Sequence, residues 1–340
     1  MTELKKERRF LQLGDFPLDS GQVLRQARIC YQLVGAPNVR KDNIVLIPSY
    51  YGGSHWGSLP LLGAGSALAS GDYCVVLTNL FGAGWSSSPS MAGKGQGGAD
   101  FPRVSLADNV RAQHRLLDQL FGPRWQLRLV TGWSMGGMQA LHWGMLFPDR
   151  VQRLLPFCCT ARCWPHNYVF LEGVKAALQV DPAWQGGRYT TAPERGLRAF
   201  GRVYAGWAYS QAFYRREAWR ELGFESLEAL LAWWEDDHLQ QDANDLLCVL
   251  DTWQSADPAR LPGAASLEDA LGRVTARAII MPSSSDLYFT VEDARYEASL
   301  MPNAQVRVLE SDWGHCAGGP GRNPAAMAQV FAAMGELLRS

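Results

Sequence analysis

The chain has 340 residues, and its 32 basic and 33 acidic side chains leave a formal net charge of -1. That length supports one large core with an insertion, or two domains, and the near-neutral balance gives no reason to expect nucleic acid or an anionic membrane as partner. A charged start with no apolar stretch behind it, no run of about twenty apolar residues, and seven cysteines without a C-x-x-C pair give the expectation of no signal peptide, no membrane span and reduced thiols in a cytoplasmic protein.

Taken in order, residues 1–20 end in Gly14-Asp15-Phe16-Pro17-Leu18-Asp19-Ser20-Gly21, which reads as a turn. Residues 23–34 alternate well enough for an edge strand. Ile44-Val45-Leu46-Ile47 and Tyr73-Cys74-Val75-Val76-Leu77 are continuous apolar runs of the buried parallel type. Between them lies Ser49-Tyr50-Tyr51-Gly52-Gly53-Ser54-His55, a glycine-containing loop just past a central strand. The glycines and Lys94 of residues 91–98 do not make a phosphate loop, because neither Ser nor Thr follows the lysine and no helix begins there. Ser105 with Asp108 predicts a capped helix start, and Val110, His114, Leu117 and Leu120 give it a helical period up to Gly122-Pro123.

The next stretch dominates the chain. Leu127 to Thr131 is an apolar run, Gly132-Trp133-Ser134-Met135-Gly136 follows, and a helical pattern begins at once. Gly-x-Ser-x-Gly between a buried strand and a helix is the nucleophile elbow of the α/β-hydrolase fold. Ser134 would sit on a strained bend with its hydroxyl clear of the sheet. The amide of Met135, leading the following helix, would face a developing oxyanion, and the upstream loop would supply the second donor, the amide of Tyr51 with that of Tyr50 as the alternate. Residues 151–158 read as another strand.

Residues 160–275 hold no clear strand but hold seven of the thirteen tryptophans in helical patterns. They are expected to form a helical lid inserted into a core of residues 1–159 and 276–340. Strands resume at 276–282 and 305–309, with helices at 291–301 and 324–338. Strands alternating with helices predict an α/β fold with a mostly parallel, doubly wound sheet. Asp286 follows one late strand and His315 the next, so the order Ser134, Asp286, His315 is that of the α/β-hydrolase triad. Asp312 competes for the acid's role, and His55 and His114 read as structural.

These residues resemble the homoserine O-acetyltransferase family of α/β-hydrolases. The resemblance rests on Gly132-Trp133-Ser134-Met135-Gly136-Gly137-Met138-Gln139-Ala140-Leu141, Phe147-Pro148-Asp149-Arg150-Val151, Asp181-Pro182-Ala183-Trp184-Gln185-Gly186-Gly187-Arg188-Tyr189 and Asp242-Ala243-Asn244. It implies an acyl-serine intermediate on Ser134, no metal or organic cofactor, and a homodimer formed through the lid. In the transferases an acidic residue after the catalytic histidine holds the substrate's ammonium, whereas Cys316 stands here; a lid arginine holds the carboxylate, and its candidate counterpart is Arg202, with Tyr209 seven residues on, Gly201 being the alternative at that position. The loss of the acid is similar to the family's esterase branch. The expectation is therefore a serine carboxylesterase for short-chain acetate esters with Tyr50, Trp133, Arg202, Tyr209 and Cys316 around the substrate. The alternative is acetyl-CoA-dependent O-acetylation of homoserine or another small alcohol.

Overall fold

The computed structural model describes residues 5–93 and 95–339. Lys94, in the rejected phosphate-loop segment, lies outside them. Eight strands form one sheet in the order β1-β2-β4-β3-β5-β6-β7-β8. They are β1 (Arg9–Pro17), β2 (Val23–Val34), β3 (Ile44–Pro48), β4 (Cys74–Thr78), β5 (Leu127–Trp133), β6 (Arg153–Phe157), β7 (Arg277–Ile280) and β8 (Ala304–Val306). From β4 onward along the sheet every pairing is parallel, while β1/β2 and β2/β4 are antiparallel. The continuous apolar runs of β3 and β4 are buried along their whole length, as strands covered on both faces must be.

Two readings of the first forty residues change. Residues 23–34 are not the edge: β2 lies between β1 and β4. The edge strand is β1, in the segment that reads as a turn. Gly14 has φ +68° and the pairing register shifts on both sides of it, so the glycine makes a bulge inside a strand. The Asp15 carboxylate accepts from the Gln26 amide across the bulge at 3.0 Å. The turn itself is confined to residues 18–21, closed by Gly21 N–H donating to the Leu18 carbonyl.

Ten α-helices, with short 3₁₀ turns between them, complete the described chain. Helix α1 (Leu106–Phe121) starts with both arms of the Ser105/Asp108 capping box formed. Helix α2 (Met135–Leu146) follows β5 directly. Six helices lie between β6 and β7: α3 (Pro165–Gln179), α4 (Glu194–Ala208), α5 (Gln211–Arg215), α6 (Leu227–Leu239), α7 (Ala243–Gln254) and α8 (Leu267–Gly272). Helix α9 (Val291–Ser299) separates β7 from β8, and α10 (Pro324–Arg339) ends the described residues. The buried Glu297 of α9 accepts from the Ala161 and Arg162 amides and the Trp164 indole, fastening the start of the helical insertion to the sheet layer. No described helix is long and apolar enough to cross a membrane.

The turn from β5 to α2 depends on contact between glycine backbones. A Cβ on Gly132 would stand 2.6 Å from the carbonyl carbon of Gly136, and one on Gly136 would stand 2.6 Å from the Pro48 carbonyl oxygen. Backbone cannot move aside cheaply there. Gly132→Ala is expected to cost about 3 kcal/mol of stability, seen as a clear fall in thermal unfolding temperature.

Candidate active site

Ser134 stands between β5 and α2 with φ 57° and ψ -128°, a left-handed backbone that a serine adopts only under constraint. Both of its backbone groups are clamped. Its N–H donates to the Phe157 carbonyl at 3.0 Å, and its carbonyl accepts from Met138 at 3.0 Å. The side chain is nearly buried and forms part of the floor of a cavity of about 110 Å³. Met135 leads α2, whose first N–H groups have no acceptor inside the helix. A buried chain of bonds ties this helix to the loop after β3. The Trp143 indole donates to Gln113, Gln113 to Gln139, and Gln139 to the Ser49 carbonyl at 2.9 Å. Tyr50 and Tyr51, next in that loop, line the same cavity.

Asp286 and His315 meet although 29 residues apart: Asp286 Oδ2 lies 2.7 Å from His315 Nδ1. The other carboxylate oxygen accepts the Tyr288 and Phe289 amides, each at 3.1 Å. Three serines before the aspartate lace its loop to the histidine's. Ser283 donates to the Gly314 carbonyl, and Ser284 and Ser285 both donate to the Ser311 carbonyl. The Trp133 indole donates to the His315 carbonyl at 3.1 Å, and its ring stacks on the imidazole with centroids 5.0 Å apart. The imidazole is therefore held from two sides, and it lines the cavity with Ser134. Asp312 is turned away: it pairs with Arg216 at the surface. His55 bridges Asn79 and the Glu7 carbonyl, and His114 stacks on Phe147, both as structural residues.

The remaining pocket candidates divide. Tyr50, Trp133 and Cys316 line the cavity. Burial pushes the Cys316 thiol up, so it faces the cavity as a neutral group. Tyr209 does not reach the cavity. It lies behind Cys316, buried, with its ring stacked on Phe213 at 4.0 Å. Arg202 is a correction. It projects from the outer face of α4 and is engaged by Glu228 and Glu235 of α6, so it cannot hold a substrate carboxylate. The cation that does line the cavity is Arg322, before α10. Helix α6 adds Trp233, Trp234, Asp237 and His238, and α4 adds Tyr204 and Ala208. The cavity-lining role of these residues was not singled out from sequence. A run such as Trp233-Trp234 names an aromatic helix but not the surface it covers.

Of the lining side chains, Trp233, Asp237 and Arg322 are the solvent-exposed ones, so they mark the mouth. A larger groove of about 510 Å³ lies between residues 98–104 and helices α3 and α7, but it contains neither Ser134, Asp286 nor His315.

Residues 42–318 match the family described as alpha/beta hydrolase fold. The chain is 37% identical over 309 residues to a Corynebacterium glutamicum protein named "probable esterase", covering 89% of this chain and 88% of that one. It is 34% identical to the ethyl acetate hydrolase of Pseudomonas veronii, covering 97% and 95%. A homoserine O-acetyltransferase of Chlorobium chlorochromatii is 30% identical, covering 88% and 87%. Among solved structures, an acetylester hydrolase from Corynebacterium glutamicum superposes with TM-score 0.94 at 34% identity, covering 98% and 96%.

Proposed function

The chain belongs to the α/β-hydrolase family, and from that premise we propose that it is a serine carboxylesterase that hydrolyses short-chain acetate esters. The observation that carries this reading is one cavity lined by both Ser134, at the elbow, and His315, whose Nδ1 is hydrogen-bonded from behind to Asp286.

Each role follows from chemistry. Ser134 Oγ attacks the ester carbonyl while His315 Nε2 takes its proton. Asp286 holds the proton on Nδ1 and stabilises the imidazolium. The amides of Tyr51 and Met135 stabilise the oxyanion, and loss of one such donor typically costs about 10²–10³ in rate. Collapse of the tetrahedral intermediate expels the alcohol, which takes the proton from His315. Water, deprotonated by the same imidazole, then releases acetate and restores Ser134.

The size of the cavity supports a small ester. At about 110 Å³ it falls well below the roughly 300–1,000 Å³ of sites for drug-sized ligands. Its aromatic wall suits an acetyl group and a short alcohol. The esterase reading also draws on the higher identity to the ethyl acetate hydrolase than to the acetyltransferase. Cys316 adds to it, since a neutral thiol supplies no charge-assisted contact to an ammonium group.

The test is to incubate the pure protein with ethyl acetate, with and without acetyl-CoA and homoserine. Acetate, ethanol and O-acetylhomoserine are followed together. Acetate and ethanol are expected to appear one to one and to ignore both additions. O-acetylhomoserine made from acetyl-CoA faster than acetate is released would establish the transferase instead.

A further inference from the structure

The cavity contains a second set of polar groups that the triad chemistry leaves unused. His238 of α6 is buried, and its ring lines the cavity. Its Nδ1 lies 2.8 Å from the Trp234 carbonyl oxygen, one turn back on the helix. A carbonyl can only accept, so Nδ1 carries the proton and Nε2 keeps a lone pair. The ring is packed against Trp234 and Phe200, with centroids 5.7 and 5.2 Å away, and burial between them lowers its basicity. No described residue hydrogen-bonds Nε2.

Arg322 is the complementary group. It stands at the mouth with its guanidinium carbon 5.8 Å from the Trp233 ring centroid and its N–H groups toward the Cys316 thiol. Asp237 also lines the mouth, but no carboxylate pairs with Arg322 among the described residues. One cavity thus offers an acceptor nitrogen and a fork of donors beyond those the triad needs.

Their position selects which half of the ester they meet. Cys316 directly follows His315, and Arg322 faces Cys316, so Arg322 lies on the side of the imidazole, with His238 lining the same cavity. His315 gives its proton to the leaving oxygen, which puts the alcohol half on that side. A purely alkyl alcohol would desolvate His238 Nε2 and the guanidinium without satisfying either. A hydroxyl both donates and accepts, and so it answers both groups.

We propose that His238 and Arg322 form a subsite for a hydroxyl on the alcohol half of the ester, making the monoacetates of short diols better substrates than alkyl acetates of the same size. The proposal rests on the esterase reading above and names the substrate class of that site.

The test compares kcat/KM for 2-hydroxyethyl acetate and propyl acetate, which differ by a hydroxyl in place of a methyl. The wild-type ratio is expected to favour the hydroxyl ester by about tenfold, the value of one good hydrogen bond. In Arg322→Met and in His238→Phe the ratio should fall toward one. Arg322 is at the surface, so its variant tests the proposal even if the buried His238 variant fails to fold. A wild-type ratio of one or less, or a tenfold ratio that persists in Arg322→Met, overturns the subsite and leaves the esterase reading standing. Failure of the wild type to hydrolyse these esters and ethyl acetate alike overturns both.

Discussion

Ser134→Ala is expected to lower kcat/KM for ethyl acetate by on the order of 10⁴-fold or more while leaving the fold intact. The hydroxyl is the only atom removed, and it makes no hydrogen bond that supports the elbow. The bend is held instead by the backbone bonds to Phe157 and Met138 and by the contact of Gly132 with Gly136. Alanine tolerates the positive φ about as poorly as serine does, so little stability changes hands. The covalent route disappears, because no other nucleophile is placed at the head of α2. Under the proposed mechanism what remains is transition-state stabilisation by the amides of Tyr51 and Met135, which in serine hydrolases leaves a residual rate only about 10³–10⁴ above water. Ethanol release by gas chromatography, read beside the unfolding temperature, checks both halves.

Asp286→Asn is expected to cost about 10⁴-fold in kcat with the geometry preserved. The reason is the direction of the hydrogen bonds. One carboxylate oxygen accepts from the Tyr288 and Phe289 amides, and the other faces His315 Nδ1. In the asparagine variant the two backbone N–H groups demand the amide oxygen, so the NH₂ group must face Nδ1. Nδ1 then becomes an acceptor, the ring proton moves to Nε2, and Nε2 can no longer take the proton of Ser134. The loss is one of tautomer, and a magnitude of this order is known for the equivalent change in a serine protease. A steady-state assay gives the loss of kcat, and an unchanged unfolding temperature would separate it from misfolding. Activity within tenfold of wild type would remove Asp286 from the proposed mechanism.

How much of this is legible before any coordinates depends on the range of the interaction. The elbow is local: a buried strand, a glycine-flanked serine and a helix follow one another directly within residues 127–146, so Ser134 and Met135 announce themselves. Asp286 and His315 are distant from each other, but each follows a strand, and the carboxyl ends of parallel strands share one edge of the sheet. The sequence reading reaches them through topology. Arg202 shows where that reasoning stops. Nothing in a linear helix pattern says which face of α4 meets α6, and the structure turns Arg202 outward onto Glu228 and Glu235. Arg322 and His238 went unread for the converse reason. One lies in a glycine-rich loop and the other in an aromatic helix, and only the packing of the insertion against the core brings them to one cavity. At the other end of the chain, Gly14 and Asp15 carry ordinary turn chemistry but occupy a bulge, because β2 offers a partner that overrides the local signal.

The most direct test of the central claim, that Ser134 carries the reaction, is its labelling by a fluorophosphonate, followed by peptide mapping and residual esterase assay on the same samples. The account predicts one phosphonyl group per chain, on Ser134, with ethyl acetate hydrolysis falling in step with its incorporation. Hydrolysis that persists with Ser134 fully modified, or that is lost while Ser134 stays unmodified, would contradict it.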